Sequence, residues 1–270
     1  MSGFQTISPA ALMRRIGLPD CPKLIDLRIP EDLAENPVLI PGAFPHDFRN
    51  FDNLLKQVGG TPCVTICHAG HKISHGVAAR LRAAGTSAEV LEGGMLAWLA
   101  EALPAIPMAA VPTLPDGTTR WVTRHRPKID RIACAWLIRR FVDPRAEFLF
   151  VPPAEVTDVA DRFTATPYDV PGVTFAHDGP LCTFDVMIRT FGLSHPALDR
   201  LAAVVRAADT DKMKGVPQAA GLLAISVGLS RQFKNDIDQL NAALPLYDAL
   251  YRWARDGHTE THTTDAQAQP

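Results

Sequence analysis

Short apolar runs alternate with longer helical patterns along the first hundred residues. Strand-length runs occur at 24–27 (LIDL), 63–66 (CVTI) and 88–91 (AEVL), and the pattern at 77–85 (VAARLRAAG) predicts a helix that ends at Gly85. Strands separated by helices are typical of a parallel sheet with crossover connections. The pattern therefore predicts an α/β domain with a parallel sheet.

Apolar residues recur at helical spacing over most of the second half. Two strand-like runs, at 146–150 and 172–177, interrupt this pattern. The helical positions are Ile129, Ile132, Ala133, Trp136, Leu137, Phe141, Leu198, Leu201, Ala202, Val205, Leu222, Ile225, Leu229 and Phe233. They predict an α-rich α+β domain with a small sheet.

A proline-rich segment separates the two patterns. Pro104, Pro107, Pro112 and Pro115 lie between 103 and 118, and this density favours an extended connector over a helix. We predict a first domain at 1–108, a linker at 109–118 and a second domain at 119–257. The tail at 258–270 has no apolar periodicity and is predicted to be disordered.

Composition excludes several classes of function. A net charge of −2 over 270 residues gives no field for holding nucleic acid or a membrane surface. No apolar run reaches the roughly 18 residues that span a bilayer, and the amino terminus lacks a signal-peptide core, so we expect a cytoplasmic protein. Five cysteines without CxxC spacing indicate reduced thiols rather than a disulfide framework or an all-cysteine zinc site.

The segment CHAGHK, Cys67 to Lys72, lies between a predicted strand and a predicted helix. A cysteine at such a junction faces unpaired backbone N–H groups and the positive end of the helix dipole, which favour its thiolate. Gly70 lets the chain curl around an anion, and His71 and Lys72 add positive charge. With His68 and Ala69 completing the loop, this segment predicts an anion-binding loop around a nucleophile.

Four motifs in order resemble the single-domain rhodanese family: LIDLR (24–28), IPGA (40–43), CHAGHK (67–72) and VLEGGMLAW (90–98). The resemblance covers about residues 8–102. It implies that Cys67 accepts a sulfane sulfur from a small-molecule donor as a persulfide and passes it to a thiol acceptor, with no cofactor required. It also implies that Asp26 and Arg28 support the loop. The sequence differs from the commonest family pattern at Lys72, where arginine is frequent, and at Ile73, where a small hydroxyl residue is frequent.

Other interpretations of the loop are weaker. Cys67 could be a buried apolar residue at a strand end, as we predict for Cys63, but the glycine and basic residue around it favour function. A cysteine phosphatase needs an arginine where Ile73 stands, so the loop indicates sulfur chemistry. His68 and His71 have no third potential metal ligand nearby in sequence.

A second group of chemistry-bearing residues lies in the second half. His125 precedes a predicted helix with Asp130 in its first turn, and His177 and Asp178 end a predicted strand. Histidines and carboxylates at element ends are typical of divalent metal or oxyanion sites, so these four residues are candidate metal ligands. The alternative stays open that such acids only cap helices and pair with arginines.

The strings HRPKIDRIACAWLIRRFVDP, HDGPLCTFD and AAGLLAISVGLSRQFKND resemble the carboxy-terminal domain of bacterial chromate-resistance proteins, over about residues 119–256. This resemblance implies a part in chromate resistance, as sensor, regulator or reductive detoxifier, with chromate as an oxyanion partner.

Together the two resemblances predict a sulfurtransferase that uses a Cys67 persulfide and is associated with chromate resistance, with a chromate-reducing role included. The alternative is an oxyanion- or metal-responsive binding protein. A DNA-binding regulator ranks lowest, because the helix at 131–140 alternates arginines with core residues and offers no reading face. We also expect the interface between the domains to cover the loop at His68 and His71.

Overall fold

The computed structural model describes residues 5–260. Its first half contains a five-stranded sheet in the order β1-β6-β5-β2-β4, with every neighbouring pair parallel. The elements are β1 (Thr6–Ile7), α1 (Pro9–Met13), β2 (Lys23–Asp26), α2 (Pro30–Glu35), β3 (Val38–Leu39), β4 (Ala43–Pro45), α3 (Phe51–Val58), β5 (Cys63–Ile66), α4 (Lys72–Ala83), β6 (Ala88–Leu91), α5 (Gly94–Ala100) and β7 (Ile106–Pro107). The predicted parallel α/β architecture is confirmed.

Successive side chains of the central strands point to opposite faces of this sheet. Leu24 and Val64 join a cluster that includes residues of α1 and α5, whereas Ile25 and Cys63 pack with residues of α3 and α4. The two-residue period of a strand produces this division. Both faces are covered by helices, as a parallel sheet requires.

The second half is rich in helices around a three-stranded parallel sheet in the order β10-β8-β9. Its elements are β8 (Arg120–Arg124), α6 (Asp130–Leu137), a π-helical turn (Ile138–Val142), β9 (Glu147–Val151), α7 (Val156–Phe163), β10 (Thr166–Pro167), α8 (Thr183–Thr190), α9 (Pro196–Asp209), α10 (Gln218–Gln232) and α11 (Asp236–Arg252), followed by a second π-helical turn (Trp253–Gly257). Across residues 5–260, no helix is both long and apolar enough to cross a lipid bilayer.

The predicted run at 146–150 forms β9, but the predicted strand at 172–177 is wrong. This segment makes an isolated bridge between Tyr168 and Phe175 and is otherwise irregular. It begins with the turn Pro171-Gly172, where Gly172 has φ +82°, and such a backbone leaves the ladder geometry. His177 and Asp178 therefore lie on a loop.

The proline-rich connector is extended and attached to the first half. Its start pairs with β3, since Leu39 is in register with Ile106, and the Met108 N–H donates to the Pro37 carbonyl. A single 3₁₀ turn (Met108–Ala110) follows, and then a short bridge from Thr113 to Thr119. The predicted boundaries at 108 and 118 stay predictions, and most of the predicted tail, 261–270, lies outside the described residues.

The two halves share one hydrophobic cluster. A Cβ placed on Gly17 would lie 2.3 Å from Cζ of Phe141 and 2.8 Å from Cε1 of Tyr251, so only a glycine permits this approach. The Gly42 N–H donates to the Phe141 carbonyl at 2.5 Å. Phe141 is fully buried at this contact, which joins the start of the first half to the core of the second.

The interface lies at the amino-terminal edge of the five-stranded sheet. Gly17 precedes β2 and Gly42 precedes β4, whereas the loop that begins at Cys67 follows the end of β5. Because these strands are parallel, the two regions lie at opposite edges. The expectation that the interface covers His68 and His71 is therefore wrong.

A buried ion pair ties α6 and its π-helical turn to α11. Both Asp248 oxygens accept hydrogen bonds from Arg140, at 2.8 Å each, and Oδ1 also accepts the indole N–H of Trp136 at 2.8 Å. The Asp248 side chain is 10% exposed and that of Arg140 is 22% exposed. These bonds satisfy three N–H donors from two side chains that the core would otherwise leave without an acceptor.

We predict that Asp248→Ala lowers the free energy of unfolding by about 3 kcal/mol, because a partly buried guanidinium and a buried indole N–H lose their acceptor. Urea unfolding followed by tryptophan fluorescence measures this. Asp178→Ala is the matched control, since the Asp178–Arg189 pair is more than half exposed on both sides, and it should cost under about 0.5 kcal/mol. Equal losses in both variants would contradict the prediction.

Candidate functional site

Cys67 follows the last residue of β5, and its side chain points into the turn that leads to α4. Its Sγ accepts the backbone N–H of His71 at 3.3 Å and lies 3.1 Å from the hydroxyl oxygen of Ser74. The residue is buried, with 6% of its surface exposed. The sulfur therefore lies at the floor of the loop, at the amino-terminal end of a helix.

The Ser74 hydroxyl is a partner of the sulfur that the sequence analysis missed. It lies 3.0 Å from the His71 carbonyl oxygen, to which it can donate, while the thiol donates to the hydroxyl oxygen. When the sulfur is ionised, the same hydroxyl can turn and donate to it. The small hydroxyl residue that is frequent in the family is absent at Ile73, and the neighbouring Ser74 supplies that group from the first turn of α4.

The back of the loop rests on the start of α5. The Met95 N–H donates to the Cys67 carbonyl and the Leu96 N–H to the His68 carbonyl, each at 3.0 Å. These bonds give the two loop carbonyls backbone partners. They also fix the loop to an element that follows the neighbouring strand β6.

Two glycines make this contact possible. Gly70 and Gly94 both have positive φ, +70° and +57°. A Cβ on Gly94 would lie 2.2 Å from the Cys67 carbonyl oxygen and 2.5 Å from the Gly70 nitrogen. Gly94 of the VLEGGMLAW motif thus has a physical reason, which is close approach to the Cys67 loop, whereas a Cβ on the preceding Gly93 would meet Ala97.

The remaining loop residues have different surroundings. His68 faces α2, with Nδ1 4.0 Å from Asp32 and Nε2 3.8 Å from Glu35. His71 and Lys72 are exposed at the start of α4, and Ala69 is half-buried. Positive charge is thus presented at the mouth of the loop, and His68 is directed toward carboxylates.

Asp26 and Arg28 form a buried pair. Arg28 Nε and Nη2 donate to the Asp26 carboxylate, at 3.0 Å and 2.6 Å, and the Arg28 side chain is 0% exposed. The guanidinium also donates to the carbonyls of Asn36 and Val38. The hydrogen bonds of this pair hold the segment between α2 and β3, and they do not reach residues 67–72.

The other four thiols lie in environments that disfavour the thiolate. Burial raises the pKa of Cys63 to about 11 and that of Cys21 to about 11, because a thiolate is poorly solvated there. Burial also raises the pKa of Cys134 and of Cys182. All five cysteines are free, and the interpretation of Cys63 as a core residue agrees with its position on β5.

A second cluster forms in the other half, where three carboxylates converge on one imidazole nitrogen. His177 Nε2 lies 3.4 Å from Asp130 Oδ2, 3.5 Å from Asp169 Oδ1 and 3.4 Å from Asp209 Oδ2. Asp130 opens α6, Asp209 ends α9, and Asp169 follows β10.

Asp130 and Asp169 are held firmly. Asp130 is 1% exposed and accepts the N–H groups of Thr183 and Phe184, each at 2.9 Å, at the start of α8. Asp169 accepts from Arg124 at 2.7 Å and lies 3.3 Å from Arg131 Nε. Asp130 thus caps one helix while it begins another.

Of the four predicted metal ligands, the structure brings two together. His125 is exposed after β8, where its backbone N–H donates to the Val151 carbonyl and its own carbonyl accepts from the Arg131 guanidinium. Asp178 pairs instead with Arg189 at 2.7 Å, because adjacent loop residues point in different directions. The structure thus brings Asp130 and His177 together, with Asp169 and Asp209 beside them, and leaves His125 and Asp178 outside this cluster.

The charges of this cluster affect one another. The nearby Asp130 carboxylate, which favours the protonated imidazole, raises the pKa of His177. Burial, followed by the nearby charge of Asp130, raises the pKa of Asp209 to about 6. Elsewhere the capping interpretation holds, since Asp185 accepts the Cys182 N–H at 3.0 Å and pairs with Arg206.

Two known families match separate parts of the chain. Residues 8–101 match the Rhodanese-like domain, and residues 121–254 match ChrB, C-terminal domain. The chain joins a rhodanese-like domain to a ChrB C-terminal domain. Protein ChrB of Cupriavidus metallidurans is 36% identical over 133 residues, which are 49% of this chain and 40% of that relative's length.

Solved structures resemble the rhodanese-like domain. A rhodanese-related protein from Thermoplasma volcanium is 20% identical with a TM-score of 0.33, covering 38% of this chain and 98% of that one. A rhodanese-like domain protein from Staphylococcus aureus is 27% identical with a TM-score of 0.31, over 35% and 90%. A thiosulfate sulfurtransferase from Pseudomonas aeruginosa is 24% identical with a TM-score of 0.33, over 38% and 19%.

We predict that Gly94→Ala displaces the loop of the rhodanese-like domain, because the new methyl group would overlap the Cys67 carbonyl. Alkylation of Cys67 by iodoacetamide, followed by peptide mass spectrometry, should change in rate by tenfold or more, and the unfolding free energy should fall by over about 2 kcal/mol.

Gly85→Ala is the matched control. Gly85 also has positive φ, +84°, but nothing lies within 4 Å of a Cβ there. It carries the same backbone cost, about 1 kcal/mol, without the overlap. Similar effects of the two substitutions would mean that close packing at Gly94 does not shape the loop.

Proposed function

We propose that the chain is a sulfurtransferase that carries sulfur as a persulfide on Cys67 and acts in chromate resistance. One observation carries the first part. The Cys67 sulfur lies at a strand-to-helix junction where the His71 N–H and the Ser74 hydroxyl both reach it. The amide donates to the sulfur, and the hydroxyl, which lies within reach of the His71 carbonyl, can turn to donate as well, so both groups can hydrogen-bond a sulfur that acts as a nucleophile.

The proposed reaction has two displacements. The Cys67 thiolate attacks the outer sulfur of a sulfane donor such as thiosulfate, the S–S bond of the donor breaks, and sulfite leaves with the bonding electrons. The outer sulfur of the resulting persulfide is then attacked by a thiol acceptor, and the Cys67 thiolate leaves. No net oxidant or metal is needed for either step.

The surroundings of the loop support an anionic donor. His71 and Lys72 are exposed at its mouth, and the helix dipole of α4 adds positive potential there. Lys72 offers a point charge where a guanidinium would offer two parallel hydrogen bonds, so we expect weak orientation of the donor. We propose that this chemistry takes place in the cytoplasm.

We predict that Cys67→Ser abolishes sulfur transfer from thiosulfate to cyanide, measured as thiocyanate, because serine cannot form a persulfide. Intact-protein mass spectrometry after thiosulfate treatment should show one added sulfur in the native chain and none in the variant. Cys21→Ser, the same change at a half-buried thiol, should keep both signals. Persulfide formation that survives Cys67→Ser would contradict the assignment.

The chromate part of the proposal is supported by the ChrB C-terminal domain. The domain makes up about half of the chain and contains the carboxylate cluster around His177. A sulfane sulfur is a reductant, so a Cys67 persulfide can give electrons to an oxidising oxyanion such as chromate. The two domains share a core, and this supports the proposal that one molecule carries both activities.

We predict that a strain lacking this chain grows less well on chromate, and that the native gene restores growth. Cys67→Ser should restore less growth than Cys21→Ser if the persulfide contributes electrons. The measurement is the chromate concentration that halves the growth rate. Full rescue by Cys67→Ser would separate chromate resistance from sulfur transfer.

A further inference from the structure

The cluster around His177 cannot be explained by hydrogen bonds alone. Its Nε2 atom carries at most one proton, yet oxygens of Asp130, Asp169 and Asp209 all lie 3.4–3.5 Å away. These distances exceed the usual range of about 2.7–3.2 Å for an N–H···O bond. One proton satisfies at most one carboxylate, so the oxygens converge on a space that a single hydrogen bond does not fill.

The separations fit donors that share a cation. Nitrogen and oxygen ligands about 2.0–2.2 Å from one tetrahedral ion lie about 3.3–3.6 Å from each other. One ligand atom from each of Asp130, His177 and Asp209 lies within 4.8 Å of the other two. Both separations that include the imidazole nitrogen thus match those of ligands to one ion, and the third pair lies close enough for a shared ion.

We propose that Asp130, His177 and Asp209 bind a divalent transition-metal ion in the ChrB C-terminal domain. One imidazole and two carboxylates form a mixed donor set that favours Mn²⁺, Fe²⁺ or Zn²⁺ over Mg²⁺ and Ca²⁺, which prefer oxygen alone. The inference does not rest on sulfur transfer at Cys67, because the two sites share no residue.

The surroundings of the three ligands position them. Asp130 Oδ2 accepts the Thr183 N–H at 2.9 Å, which fixes the carboxylate and leaves a second lone pair for the ion. Asp169 contacts the same imidazole, but Arg124, Arg131 and Thr183 already bond its oxygens. It is therefore a positioning residue that anchors the cluster to β8 and α6.

The site is open on one side. The His177 side chain is 43% exposed and that of Asp209 is 23% exposed, whereas that of Asp130 is 2% exposed. An ion can enter from solvent, and its remaining coordination positions face water. Three protein ligands with an open position are typical of a centre that exchanges ligands rather than a closed structural site.

The experiment uses the full chain stripped of metal with EDTA. Mn²⁺ or Zn²⁺ alone is titrated by isothermal calorimetry, and Mn²⁺ binding is followed by loss of the free-ion EPR signal. We expect one ion per chain in the native protein, and affinity at least tenfold lower in Asp209→Asn and in His177→Gln. Asp130 is left intact because it caps α8.

Asp178→Asn and His125→Gln are the matched controls, since they make the same changes outside the cluster. Both should bind the ion with native affinity, and circular dichroism should show native folding in all four variants. No stoichiometric binding by the native chain would overturn the proposal and leave His177 as a cationic partner of the carboxylates. Native affinity in both cluster variants would overturn it too. Persulfide formation by Asp209→Asn reports separately on Cys67.

Discussion

The contact between Gly17 and Phe141 constrains the whole molecule. Because Gly17 has no side chain, the Phe141 ring can pack against the first half. The Gly42 N–H donates to the Phe141 carbonyl beside it. Through this contact the sheet of the rhodanese-like domain and the helices of the ChrB C-terminal domain bury one continuous cluster. Each half contributes apolar surface that the other covers.

This arrangement leaves the two candidate sites independent of the interface. The Cys67 loop lies at the carboxyl edge of the five-stranded sheet, away from Gly17 and Gly42. The carboxylate cluster depends on the packing of α6, α8 and α9 within the second half. Both candidate sites can therefore be supported by one shared core, although neither includes residues of the contact between the two halves.

The sequence predicted the central strands and the Cys67 loop well because both are local. The runs at 24–27, 63–66 and 88–91 are short and apolar between helical patterns, and the loop residues are contiguous. The role of Ser74 was missed because the side-chain direction within a helical turn, not the order of residues, brings its hydroxyl to the sulfur.

The sequence predicted only two of the four residues of the carboxylate cluster, Asp130 and His177, and the reason is physical. Asp130, Asp169, His177 and Asp209 come from four separate segments, and tertiary packing alone brings them together. Local patterns cannot show that Asp209 at the end of α9 meets His177, or that neighbouring Asp178 turns toward Arg189. The strand expected at 172–177 failed at Pro171-Gly172, where turn chemistry outweighed the apolar pattern.

The π-helical turn at Ile138–Val142 determines how Phe141 reaches its partner. Here the Asp143 N–H donates to the Ile138 carbonyl, five residues back, so the winding contains one more residue than an α-helix would use. Removing one residue before Phe141 would restore regular winding and rotate Phe141 and the chain after it by about 100°. The extra residue thus sets the register that joins the halves, and chain length at this point is as restricted as side-chain identity.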